Sequence, residues 1–367
     1  MLRSVLINEN VEIAVGSLGP EMDAAFDRFY PELVNGVLSL TTEFNDSAHK
    51  YLDSTGSDPA ATDRFFNCFT PIWNLYLQFG RLDLTQRLWP LALQPVEQWE
   101  DTHHRVHKGT AYYFWAMSSL LEGNIDRGYV LAHQAVEEDS LTHGRPNPDT
   151  PAFALVSLNF DKPDQAFRPW VQDQAKYFDG FVTDYRAEHG RGFTMEDLKR
   201  KFLSNPPSID LIFSLTHAVA RLKEIYGLPQ PAKQSSFVAQ IHLNLLFDLL
   251  LVIDNAIQAK NPTKWKFSEH ARFLLDQSGD RLALADFDAV HGQFKSDFNA
   301  ALLLAIQGNL ASRSTVLSRA QCDVVIAYEL RNRGAHDVEA VPTITSNLDA
   351  VQRAVFRAFC RAIDFLF

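Results

Sequence analysis

The chain has 367 residues and a formal net charge of −11, with 46% hydrophobic and 22% charged residues. That composition supplies a large core, excludes a chain disordered along its length, and at roughly 150 residues per domain suits two domains. The acidic balance argues against a molecule built as a whole to hold nucleic acid, but it is uneven: Pro231 to Phe367 carries 14 Lys/Arg and 14 Asp/Glu, against 20 and 31 in the first 230 residues.

The opening segment, MLRSVLINENVEIAVG, has no apolar stretch long enough for a signal peptide. Helical periodicity then dominates and strand alternation is rare. Tyr76–Trp89 and Ser119–Ala132 both read as helix, glycine turn, helix, with Gly80 and Gly123 lying 43 residues apart. Over about 65–140 this resembles tetratricopeptide-type or related helical repeats, at a spacing longer than their usual ~34 residues. A generic helical bundle is the plainer alternative. From 141 to 170 the chain holds Pro146, Pro148, Pro151, Pro163 and Pro169 with little periodicity, which predicts a loop. Helices are predicted at about 194–204 and 208–226, and Gly227–Pro231 is the expected boundary between two parts. Beyond it come helices at 237–259, 266–277 and 286–307. The most apolar run, Leu243–Ile253, is interrupted by Asp248 and falls short of a membrane span.

Ser318-Arg-Ala-Gln321 is a capping box that opens a further helix. After Pro342, Thr345 and Ser346 supply capping oxygens for a last one, in which Leu348, Val351, Val355, Phe359, Ile363 and Leu366 form one apolar stripe. The fold class is therefore all-α: an acidic, repeat-like region over 1–230, and a helical bundle over 231–367. Three cysteines (Cys68, Cys322, Cys360) give neither a disulfide framework nor a paired metal spacing, and a cytoplasmic protein with no membrane partner is expected.

Few motifs carry chemistry. His103 and His107 stand at i, i+4, but His104 occupies the place of the Glu that a zinc-protease helix needs. A metal enzyme built on them is the weaker alternative, and no metal site is assigned. Gly190-Arg-Gly192 lacks the third glycine of a dinucleotide fingerprint, and neither a phosphate-loop Gly-Lys-Ser/Thr nor Gly-x-Ser-x-Gly occurs. No cofactor is expected. Arg127 and His133 are read as a coincidental pair inside the repeat-like region.

The segment Arg331-Asn-Arg-Gly-Ala-His336 follows a long apolar helix and precedes another. An imidazole moves protons near pH 7 and a guanidinium holds phosphate oxygens bidentately, so the two together suit phosphodiester chemistry. Five residues at about 100° each put them on different faces of an ideal helix, and Gly334 supplies the freedom to bring them together. The run resembles the signature of HEPN domains, whose ribonuclease members carry Arg, a polar residue, a short spacer and His near the end of a helical bundle. The resemblance spans about 232–367, with a long apolar helix (Leu243–Ala259) and a polar cluster at Asp254-Asn255 as further support.

What the resemblance implies is a metal-independent endoribonuclease acting on single-stranded RNA. The 2′-hydroxyl attacks the adjacent phosphate, leaving a 2′,3′-cyclic phosphate and a 5′-hydroxyl, a reaction that DNA cannot undergo. His336 would transfer protons, Arg331 would hold the phosphate and Asn332 would position the loop. Arg333 and a strip at Arg353, Arg357 and Arg361 are candidate RNA contacts, with a solvated charged face as the plainer account of the strip. A single motif implies a homodimer with a composite active site. Enzymes of this kind are often toxins or defence effectors held in check, which leaves the N-terminal region as a regulatory part that senses a protein or nucleotide ligand. The alternative is a non-catalytic helical scaffold that dimerises through its C-terminal bundle.

Overall fold

In the computed structural model, the residues described are 2–8, 11–55, 58–159, 168–229, 232, 235–263, 266–333 and 341–367. They are mostly helical, in agreement with the periodicity. The exception is at the start, where β1 (Leu2–Asn8) pairs antiparallel with β2 (Val11–Gly16), Val5 opposite Ile13. Val5, Ile13 and Val15 are buried, whereas Leu2 and Leu6 on the other face are exposed. Apolar residues on both faces hide the period of two that marks a strand.

The contacts divide the chain into two compact units, Met1–Ala154 and Leu155–Phe367. In the first, α1 (Pro20–Val34), α2 (Thr42–Thr55), α3 (Pro59–Asn67) and α4 (Thr70–Gln78) gather round an aromatic core. Phe26 packs edge-on against Phe44 at 5.1 Å and Phe69 at 5.2 Å, and stacks on Tyr30 at 5.1 Å. Next come α5 (Leu82–Glu100), α6 (Gly109–Leu121) and α7 (Ile125–His143). The two predicted helix–glycine–helix hairpins are present as α4–α5 and α6–α7. Gly80 (φ +66°) and Gly123 (φ +80°) adopt left-handed backbone that a Cβ would strain. Trp73 Nε1 donates to Ser118 Oγ at 2.9 Å, and Trp89 stacks on Phe114 at 5.1 Å, so residues of both hairpins share one interior.

The second unit runs through α9 (Arg168–His189), α10 (Met195–Leu198), α11 (Ile209–Gly227) and α12 (Ser236–Lys260). The short α8 (Pro151–Val156) spans the division. Then follow α13 (Phe267–Gln277), α14 (Leu284–Ser296), α15 (Phe298–Gln307), α16 (Arg319–Arg333), α17 (Val341–Ser346) and α18 (Leu348–Leu366). Long α12 packs against α11, α13, α16 and α18, while α18 also packs on α9. Because α9 and α11 share a core with α12 and α18, the compact division falls at residue 154, not at 230.

Two further differences have simple causes. The predicted loop at 141–170 holds the end of α7, all of α8 and the start of α9; Pro151 and Pro169 stand in first turns, where a proline removes an N–H that has no intrahelical partner anyway. The predicted helix at 286–307 is two helices, parted at Asp297, whose carboxylate accepts from the Ala300 N–H at 3.0 Å and so starts α15. Among the described residues one helix, Phe237–Lys260, is long and apolar enough to cross a membrane, contrary to the expectation from the shorter run. About 56% of its most apolar stretch is buried against its neighbours, as for the core helix of a bundle.

Candidate functional site

The sequence starts α16 as read. Ser318 Oγ accepts from the Gln321 N–H at 3.2 Å, and Gln321 Oε1 accepts from the Ser318 N–H at 2.8 Å, satisfying two end donors reciprocally. Cys322, Val324–Tyr328 and Leu330 are buried, so almost the whole circumference of the helix is packed. Two buried carboxylates, Asp323 and Glu329, ride on it, each 1% exposed. Carboxylates survive such burial only with partners, and those partners define the surroundings of the motif.

Arg331 and Asn332 occupy the last turn of α16. Arg331 is half-buried, with a Nε that makes no hydrogen bond among the described residues. Asn332 is exposed and stands one helical turn beyond Tyr328. Burial pushes the Tyr328 phenol up, the Glu329 charge adds to this, and the polar side chains of Asn332 and Ser268 oppose it. The phenol is thus neutral at pH 7. Its ring lies 5.0 Å from Phe287 and 5.6 Å from the His291 imidazole.

His291, from α14, meets Glu329 Oε1 at 2.7 Å through Nδ1. A carboxylate only accepts, so Nδ1 carries the proton and donates, which leaves Nε2 as the basic nitrogen in the neutral ring. The end of α16 therefore gathers a guanidinium, an exposed carboxamide, a phenol and a carboxylate-oriented imidazole. Such a set can hold an oxyanion and move protons. Spacing gave no sign of His291, because it sits on a different helix about forty positions before the motif. Position 336 and the Arg333 side chain lie outside the described residues, as does the segment between Arg333 and Val341.

The expected basic strip on α18 is corrected. Arg357, 3% exposed, spends its guanidinium on a bidentate pair with Asp323, Nε to Oδ2 and Nη2 to Oδ1, both at 2.8 Å. Its Nη1 reaches Asp184 Oδ2 at 2.9 Å. Arg361, 4% exposed, is paired with Asp280. The i, i+4 spacing that suggested a solvent-facing strip instead faces α9, α16 and the Asp280 turn. Only Arg353 of the three is exposed, and its Nη1 bonds Asp184 Oδ1 at 2.8 Å. His189 Nε2 donates to Asp323 Oδ2 at 3.0 Å, so Asp323 ties α9, α16 and α18 together. Asp254 pairs with the buried His270 and fastens α13 to α12.

In the other unit, His103 and His107 do not share a helical face, because residues 101–108 lie between α5 and α6. His103 stacks on Trp99 at 4.4 Å. His107 sits between Asp139 (Nε2, 3.1 Å) and Asp63 (Nδ1, 3.3 Å). No group of three or more metal-type ligands occurs among the described residues. Set against protein-family models, curated proteins and solved structures, the chain matches none of them.

Proposed function

We propose that the chain is a metal-independent endoribonuclease of HEPN type, cleaving single-stranded RNA by 2′-hydroxyl attack to leave 2′,3′-cyclic phosphate and 5′-hydroxyl ends. The supporting observation is the seat of Arg331 and Asn332 in the final turn of α16, beside the Tyr328 phenol and the His291–Glu329 pair. In this reading the Arg331 guanidinium holds the scissile phosphate and steadies the charge that develops on it. Asn332 positions the chain that carries His336, which transfers the proton. The active form is a homodimer with a composite cleft, working in the cytoplasm as a toxin or defence effector restrained through the N-terminal unit.

A second reading, a non-catalytic scaffold, draws support from the internal use of Arg357 and Arg361, which gives α18 a structural role. One experiment separates the two: single-stranded RNA incubated in EDTA with the protein, with His336→Ala and with Arg331→Ala. The enzyme reading expects cyclic-phosphate ends from the parent protein and a loss of about 10²–10⁴-fold in each variant. Equal cleavage by parent and variants, or no cleavage by the parent as a dimer, sinks it in favour of the scaffold.

A further inference from the structure

Helices α9, α11 and α18 enclose an open cleft of about 570 Å³, lined by neither Arg331 nor Asn332. Its volume falls in the range of small-molecule sites, roughly 300–1,000 Å³. Three aromatic rings stand in its wall: Tyr177, Phe181 and Tyr226. Phe181 is held by stacking on Phe356 at 3.8 Å and meets Tyr177 at 5.3 Å with the two rings almost perpendicular, at 88°. Tyr226, 66% exposed, lies 6.1 Å from Tyr177 and is inclined to it by 47°. Rings set this way form corners instead of a flat stack, and their faces carry negative potential.

Most of the charge in the lining is already paired. Lys223 is bound to Asp173, and Arg353 bonds Asp184 Oδ1 at 2.8 Å. Lys176 and Asp349 remain, both exposed and without an ion-pair partner among the described residues. Gln352 is committed as well: its Oε1 accepts from His242 Nε2 at 2.7 Å, and its Nε2 donates to the Tyr177 hydroxyl at 3.4 Å. Burial pushes the Tyr177 phenol up to about 12, Tyr226 and the Asp349 charge add to this, and the bond from Gln352 opposes it. The Asp349 carboxylate therefore lies near the aromatic corner.

That inventory selects among cations. A primary ammonium carries three N–H donors and needs three acceptors, whereas Asp349 is the one carboxylate of the lining left without an ion pair. A trimethylammonium group has no N–H to satisfy, and aromatic faces with a single counter-charge suffice for it. The cleft also keeps room for an occupant. A Cβ on Gly180 would meet nothing within 4 Å, so no neighbour requires glycine there, although glycine weakens the interior of a helix such as α9.

We infer that this cleft binds a small trimethylammonium zwitterion, its cationic head in the corner of Tyr177, Phe181 and Tyr226 beside Asp349, and its carboxylate or phosphate at Lys176. The two side-chain charges left over have opposite signs, which favours a zwitterion over a simple cation. A free solute and the headgroup of a phosphatidylcholine surface share this chemistry, and they are told apart by experiment. The inference stands independently of the RNA-cleavage reading, since it concerns a cleft that the motif does not line.

The test is isothermal titration of the full chain with glycine betaine and phosphocholine, each against its primary-amine counterpart, glycine or phosphoethanolamine, and with choline, which lacks the acid. At least one methylated zwitterion is expected to bind at least about 10-fold more tightly than its counterpart and about 5-fold more tightly than choline. Tyr226→Ala weakens that binding by at least about 5-fold, and Tyr226→Phe retains it, because the ring face and not the hydroxyl meets the cation. Lys176→Gln removes the advantage over choline. Gly180→Leu fills the cleft and abolishes binding, while its thermal midpoint holds or rises, which separates loss of the site from loss of the fold. Vesicles of phosphatidylcholine, compared with phosphatidylethanolamine, supply the second source: binding to the former with none to either free zwitterion assigns the headgroup, and binding in solution assigns a free solute. Equal binding of methylated and primary ammonium forms, no advantage of the free zwitterion over choline, binding unchanged in Tyr226→Ala and Gly180→Leu, or binding to neither source overturns the inference.

Discussion

Arg357→Met puts a number on the buried network that replaced the expected RNA-binding strip. The Arg357 and Asp323 side chains are 3% and 1% exposed, joined by two parallel hydrogen bonds of 2.8 Å. Methionine nearly fills the volume but leaves the Asp323 carboxylate in the interior with His189 at 3.0 Å and Arg319 no closer than 3.8 Å. Removing one partner of a buried pair costs about 3–5 kcal/mol, because the remaining charge has lost its compensation. For a unit of this size each kcal/mol moves the midpoint by roughly 2–4 °C, so the melting temperature falls by about 6–20 °C. Since the chain has two compact units, a single melting curve mixes them. Native-state hydrogen exchange read by mass spectrometry on peptides from α9, α16 and α18 isolates the second unit. Asp323→Leu is destabilising for the converse reason. The double variant Asp323→Leu/Arg357→Met removes both charges together and is expected to lose less than the sum of the single variants by at least about 2 kcal/mol. Additive losses, or a drop below about 1 kcal/mol for Arg357→Met, would refute the view that α18 is held by a desolvated pair.

Other outcomes follow from single sites. Burial alone would lower the His107 imidazolium, but hydrogen bonds to Asp139 and Asp63 and their charges outweigh it and lift the group to about 9. With an unfolded value near 6.5, its stabilisation is complete below about pH 6.5 and is lost as pH climbs through 9. Hydrogen exchange in α6 and α7 should accelerate over that window in the parent protein, and a His107→Gln variant with the same pH slope would dismiss the idea. A Cβ on Gly128 would stand 2.5 Å from Leu120 Cγ, where α7 crosses α6; Gly128→Ala is expected to cost about 1–3 kcal/mol of overpacking, read as a lower denaturation midpoint. Asp297→Ala removes the cap that starts α15 and should cost about 0.5–2 kcal/mol, detected as faster exchange confined to α14 and α15.

The sequence by itself determined the helical class, the two glycine hairpins at Gly80 and Gly123, and the capping box at Ser318. Those features are local: a periodicity, a left-handed turn and a reciprocal pair of hydrogen bonds each lie within a few residues. It also placed Arg331 and Asn332 at a helix end. Only the tertiary structure decided which charges meet solvent. Arg353, Arg357 and Arg361 are equivalent by spacing, yet one is exposed and two are buried, because Asp323 on α16 and Asp280 near its start approach from elsewhere in the chain. The same holds for His291 on Glu329 and for α9 and α11 joining the C-terminal bundle, which moved the division from 230 to 154. Periodicity reports a face of a helix, whereas the partner of that face depends on contacts between residues far apart in sequence.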